Sequence, residues 1–309
     1  MSRRGWLLFA AMCVIWGIPY LLIKVAVGEV SPVALVFLRT ASGALLLVPI
    51  AAARGHLRPL LPHWRWIAAY TVIEIGIPWV LLSDAERKLS SSLAGLLVAA
   101  VPLIGTVIAA AMGHERVDGR RLTGLLVGLG GVGALLGLDV GSGSAPAVVE
   151  MGAVAVCYAV GPVIVARRLN RLPALGVVAA SLALAAVAYA PVAATRLPAH
   201  MPGGSVIAAL ALLGVVCTAL AFVVFFALIA EVGPVRATVI TYVNPAVAVL
   251  LGVSLLHERF TAGIALGFAL ILAGCVLATR RTQVAAAPRP TSCTSQTLPS
   301  GSLNVRNEL

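Results

Sequence analysis

The chain has 309 residues, of which 61% are hydrophobic and 11% charged, with a formal net charge of +11. A water-soluble globular protein needs a far more polar shell, so the composition excludes that class and indicates an all-α integral membrane protein. The basic residues sit mostly in short connectors between apolar runs, where they set orientation, and no nucleic-acid partner is expected.

A transmembrane helix takes about 20 apolar residues. Ten such runs are predicted, at about 6–26, 32–53, 66–83, 91–113, 121–138, 147–166, 173–195, 205–230, 234–256 and 261–279. The first follows Ser2-Arg3-Arg4 and resembles a secretory signal. It lacks an A-x-A-like cleavage site and continues through Trp16, Pro19, Tyr20 and Lys24, so it is read as a retained helix. Residues 281–309, rich in Ser, Thr, Pro and Ala, are expected to form a disordered cytoplasmic tail.

In span one, Trp16, Tyr20 and Lys24 share one helix face by their i, i+4, i+8 spacing. Lys24 either snorkels to the headgroups or joins the two rings in a cavity-facing stripe suited to a zwitterionic or anionic solute. Arg39 in span two and Glu74 in span three lie within about 3 Å of the same depth at 1.5 Å per residue. A charge at mid-membrane costs roughly 2.5–3.5 kcal/mol and usually pairs, which predicts an Arg39–Glu74 contact, direct or through water. That pair serves structure alone, or substrate binding and proton coupling. Were Glu74 to face a cavity, it would be the candidate protonation switch.

Ser90, Ser91 and Ser92 read as a cap for span four. Pro102 and Pro245 fall within spans four and nine, where a proline removes a backbone hydrogen bond and kinks the helix. Freed carbonyls at such kinks are tolerated beside a wet cavity, and Tyr242 and Asn244 lie next to Pro245. With Tyr158 of span six they complete the expected cavity lining. Phe222, Phe225 and Phe226 of span eight face either the cavity or lipid.

The tripeptide His-Glu-Arg occurs at 114–116 and again at 257–259, an offset of 143 residues. The same offset relates Pro102 to Pro245, Gly124 to Gly267 and Gly131 to Gly274. This self-similarity predicts a duplicated unit, with repeats at 5–140 and 146–280. Five helices per repeat forces opposite orientations, hence two inverted five-helix repeats around a central cavity, the architecture of many secondary transporters. With the N-terminus inside, the cytoplasmic connectors collect thirteen Arg, against Arg87, Lys88, Arg196 and Arg259 outside. A plasma (inner) membrane protein with both termini cytoplasmic follows. Glu115 and Glu258 are read as gates or as groups that cap the next helix or fix the loop, and Gly124, Gly128, Gly131, Gly263, Gly267 and Gly274 as close-packing positions.

The five cysteines show no metal-ligand spacing, and neither metal nor cofactor is expected. Nucleotide-binding, zinc-protease and nucleophile-elbow motifs do not occur, so the chain is not expected to be an enzyme.

Trp16-Gly17 with Lys24, Pro32 with Arg39, and the segments Pro102 to Glu115 and Pro245 to Glu258 resemble the EamA-type family of the drug/metabolite transporter superfamily. The resemblance covers about residues 5–280. It implies a ten-helix inverted duplication around a central cavity and gradient-driven export or facilitated passage of small metabolites such as amino acids. The expected function is therefore a secondary transporter, acting on small-molecule substrates within the lipid bilayer and compatible with proton coupling. The alternatives are an intramembrane lipid-processing enzyme and a non-transporting scaffold or sensor.

Overall fold

The structure, a computed structural model, describes residues 1–112, 118–139, 144–237 and 239–279. His114-Glu115-Arg116 and the tail 281–309 lie outside the described residues. All regular structure among the described residues is helical.

Helices α1 (Arg3–Gly17) and α2 (Pro19–Ala26) are joined at Ile18, and α3 (Pro32–Ala53) follows. A 3₁₀ turn, Arg58–His63, leads into α4 (Trp64–Tyr70), a π-helical turn Thr71–Gly76, and α5 (Ile77–Ala85). Next come α6 (Ser91–Val98), α7 (Val101–Ala111) and α8 (Gly119–Asp139). The second half has α9 (Ala145–Ile164), a π-helical turn Val165–Leu169, α10 (Ala174–Ala194) and α11 (Gly204–Gly214). A third π-helical turn, Val215–Leu220, precedes α12 (Ala221–Val232), α13 (Pro234–Ala237), α14 (Ile240–Leu255) and α15 (Ala262–Thr279).

Seven continuous stretches are long and apolar enough to cross a membrane: Arg3–Ala26, Pro32–Ala53, Arg58–Ala85, Ser91–Ala111, Ala145–Leu169, Ala174–Ala194 and Gly204–Val232. Ile240–Leu255 and Ala262–Ala278 are shorter apolar helices. Large apolar side chains such as Leu45, Leu126, Val149, Val187 and Leu250 point out of the bundle, while Arg39, Glu86, Ser91, Ser92 and Thr218 are buried. This inversion of the soluble pattern suits a lipid surround.

The interruptions have local causes. Pro19 and Pro102 supply no N–H, and they restart the helix after Ile18 and after the Ala99–Ala100 step. At that second step the Cys275 thiol of α15 donates to the Ala99 carbonyl at 3.3 Å. Pro78 likewise leaves a carbonyl free one turn back, and the chain absorbs the mismatch as the π turn Thr71–Gly76. In Val215–Leu220, where no proline occurs, the Thr218 hydroxyl enters the ladder and donates to Leu213 O at 2.8 Å. The interruption expected at Pro245 lies instead upstream, before Ile240. Pro245 itself sits inside continuous α14.

Two long helix pairs organise the bundle: α8 packs along α15, and α3 along α10. In the first pair the glycines do what their spacing predicts. A Cβ on Gly124 would meet the Gly274 carbonyl and the Ala278 amide, and one on Gly131 the Gly267 carbonyl, so the two backbones touch. Gly17 plays this part where α1 crosses α14, against Val247 and the Asn244 carbonyl.

Candidate functional site

Arg39 is the centre of a buried polar group. Its guanidinium lies 3.7 Å from the Trp79 ring centroid of α5, and Nε donates to Thr218 Oγ1 at 2.9 Å. The π-helical turn explains the second contact: widening the helix at Val215–Leu220 presents the hydroxyl to both Leu213 O and Arg39. Tyr20 of α2, Tyr158 of α9, Cys217 and Glu86 lie close enough to interact with Arg39 electrostatically. The Tyr158 hydroxyl faces the Trp79 indole. Five crossings thus converge on one cation.

The expected direct Arg39–Glu74 pair is not formed. A charged pair that is in contact, Arg87–Asp84 at 3.3 Å, lies elsewhere. Arg39 is aimed at Trp79 and Thr218, whereas Glu74, in the widened turn, is aimed at α9. There it approaches Gly161, whose missing side chain makes room for the carboxylate, with Tyr70, Cys157 and Tyr158 around it. Its buried Oε2 has no hydrogen-bond partner.

The span-one stripe divides among three tasks. Trp16 joins an aromatic cluster, edge-on to Phe222 at 6.0 Å and tilted on Phe225 at 4.7 Å, with Phe226 stacked behind. Phe222 and Phe225 therefore pack inside the bundle. Tyr20 is buried beside Arg39. Lys24 Nζ donates to the carbonyls of Glu86 at 2.6 Å and Leu89 at 2.7 Å, closing the C-terminal end of α5.

Asn244 ties α14 to α1: oriented by its acceptors, its amide donates to Ile240 O at 3.0 Å and Cys13 O at 3.2 Å. Tyr242 packs against the main core. Neither touches Arg39 in the contacts described. Glu258 is a cap, but of α6 rather than of the next helix. Its Oε1 accepts from Ser91 N at 2.7 Å and Ser91 Oγ at 3.0 Å. Its Oε2 accepts from Ser92 N at 3.0 Å and from the Ser92 hydroxyl. The left-handed turn at His257 (φ 54°) bends the chain before that carboxylate, and Gly252 leaves room for it against both serines.

Sequence reasoning missed Trp79, Thr218 and Glu86. Trp79 and Thr218 carry no charge and resemble ordinary span residues; only Pro78 hinted that its turn was irregular. Glu86, in the string Asp84-Ala85-Glu86-Arg87-Lys88, looks like solvent-facing loop, yet it is fully buried with both carboxylate oxygens unpartnered.

The sequence profile of the EamA-like transporter family matches twice, over residues 3–137 and 147–280. The chain belongs to that family. It is a multi-pass membrane transporter. An uncharacterized inner membrane transporter of Escherichia coli K12, YedA, is 27% identical over 261 residues, covering 81% of this chain and 82% of its own. The Bacillus subtilis transporter YvbV is 25% identical over 291 residues, covering 93% and 95%. A solved crystal structure superposes with a TM-score of 0.64 at 26% identity, covering 90% of this chain and 98% of that one.

Proposed function

We propose that this EamA-type protein is a secondary exporter of small amphipathic metabolites such as amino acids, and that Arg39 receives the solute's carboxylate. The observation that carries the site is Arg39 itself. It is a buried guanidinium with a stacking ring and one hydroxyl, and no carboxylate in direct contact. A buried cation without a paired anion is costly. A carboxylate solute supplies that anion, while Trp79, Tyr20 and Tyr158 offer apolar faces to its side chain. The export direction rests on the family resemblance alone.

The proposed frame is ten crossings in two inverted five-helix repeats, 5–140 and 146–280, around a central cavity, with both termini cytoplasmic. Three observations support it. The family profile matches once in each half. Helices one repeat apart, α8 with α15 and α3 with α10, pack on each other. Contacts between connectors also sort by face: Glu29 accepts from Gly203 N, Ser31 donates to Arg196 O, and Lys24 and Glu258 meet residues 86–92, all on the proposed outer side. The Ser2 hydroxyl with Glu231, and Arg168 over Trp66, fall on the other.

Counterflow of an isotope-labelled amino-acid mixture into reconstituted vesicles tests the reading. Arg39→Gln should reduce exchange roughly 30- to 5000-fold, since removing one partner of a buried charge pair costs about 2–5 kcal/mol. Arg39→Lys should recover only part of it, because an ammonium lacks the planar fork. Exchange by Arg39→Gln equal to wild type would remove Arg39 from the site. No exchange of any amino acid by wild type would favour the scaffold or lipid-enzyme alternative.

A further inference from the structure

The outer end of the bundle holds a second polar group that the substrate reading does not use. Glu86 is 0% exposed, and neither carboxylate oxygen has a hydrogen-bond partner. The charged and titratable groups facing it are Lys24 and Tyr20 from α2, Arg39 from α3, and Glu258 from the connector after α14. Its own neighbours Arg87 and Asp84 pair with each other.

None of the facing groups satisfies the carboxylate. Lys24 directs two of its three N–H donors to the carbonyls of Glu86 and Leu89, at 2.6 and 2.7 Å, and none reaches the carboxylate. Glu258 is held by the Ser91–Ser92 amides and hydroxyls, so its negative charge stays nearby and opposes a second one. An ionised carboxylate left dry and unbonded is far more costly than a neutral acid. Burial, with Glu258 adding to it and Lys24 and Arg39 opposing, holds the Glu86 carboxyl well above the usual range.

The same geometry speaks to which ion is involved. Two converging carbonyls beside a carboxylate are the ligand chemistry of a hard metal cation. Here the Lys24 ammonium, tethered and already charged, fills that seat. What remains unfilled is the carboxylate, and a proton satisfies it without displacing Lys24.

We propose that Glu86 carries the coupling proton of transport. In the closed arrangement of this end, with Lys24 on the α5 carbonyls and Glu258 on α6, a proton taken from water sits on a Glu86 oxygen. When the end opens, water reaches Glu86, the O–H bond breaks, and the proton leaves to water. One proton is bound and one released per cycle, and no other reactant is needed. The proposal rests on the transport reading above for its role, but not for the protonation itself.

Two measurements on the full-length protein separate these parts. Infrared spectroscopy of purified wild type in lipid at neutral pH should show a protonated-carboxyl stretch that Glu86→Gln removes and Glu74→Gln leaves in place. Should Glu86→Gln fail to fold, Glu86→Asp serves, and must shift that component. A spectrum unchanged by either Glu86 variant overturns the proposal. In vesicles, a proton gradient should drive net flux of the labelled amino-acid mixture in wild type, and in Glu86→Gln the ratio of gradient-driven to gradient-free flux should fall to about one. A sodium gradient should move neither. Glu86→Gln responding to protons like wild type, or a sodium-driven flux, also overturns it. If wild type shows no counterflow at all, the transport reading fails, while the infrared result still decides whether Glu86 holds a proton.

Discussion

The π-helical turns Thr71–Gly76 and Val215–Leu220 are 144 residues apart and share one backbone device, yet they hold opposite kinds of side chain. Counted from the start of each turn, Glu74 and Thr218 occupy the same place, and each is met by a glycine of a neighbouring helix, Gly161 of α9 or Gly43 of α3. Thr218 is locked: it donates to Leu213 O, accepts from Arg39 Nε, and packs its methyl against Gly43. Glu74 is loose: its buried Oε2 is unpartnered, and the carboxylate alone fills the Gly161 notch. The difference teaches that one backbone device supplies a position, while the residue placed there decides whether it becomes an anchor or a movable polar group.

The sharpest way to break the contrast is at Thr218. Thr218→Val keeps the shape but removes both hydrogen bonds and leaves a buried guanidinium N–H without its acceptor. A hydrogen bond to a charged group is worth about 1.5–3 kcal/mol, and thermal unfolding in detergent should show a loss of that order, with Thr218→Ser close to wild type. Equal stability of the Val and Ser variants would mean that the hydroxyl anchors nothing.

The glycines sharpen it further. A Cβ on Gly43 would stand 2.9 Å from the Thr218 methyl and 3.2 Å from Leu182, both on side chains fixed by their surroundings. Gly43→Ala should therefore cost about 1–2 kcal/mol through overpacking. At Gly161 the added carbon meets the far end of a glutamate, which can swing away, so Gly161→Ala should cost under about 1 kcal/mol. Paired melting curves check the order, and a Gly161 variant less stable than the Gly43 one would show Glu74 to be the fixed group.

The two sites were unequally legible in the sequence. Helical composition and the glycine seam between α8 and α15 follow from counts and spacings, which lipid and close packing constrain directly. Arg39 stood out because a charge in an apolar run is expensive. Its partners did not, because rotation about a helix axis depends on widened turns at 71–76 and 215–220 that shift every later side chain. Matching Arg39 to Glu74 by depth alone carries no direction, and the turn at 71–76 aims Glu74 at α9 instead. Lys24 was misjudged for a related reason: a lysine near a helix end finds backbone carbonyls as readily as headgroups, and only the fold shows that the end of α5 is within reach.

The smallest expected effect is at Glu74 itself. If its carboxyl is a movable group that no hydrogen bond fixes, replacing it by the isosteric amide keeps its shape and creates little new strain. Glu74→Gln should leave thermal stability within about 0.5 kcal/mol of wild type, the range of substitutions that break no specific contact. It should also keep the response of flux to a proton gradient, because that response is assigned to Glu86 at the other end of the same helical stretch. Flux measured in vesicles with and without the gradient decides this. A Glu74→Gln protein that folds normally but ignores the gradient would move the coupling role to the first π-helical turn, and the two turns would then differ in mechanism as well as in rigidity.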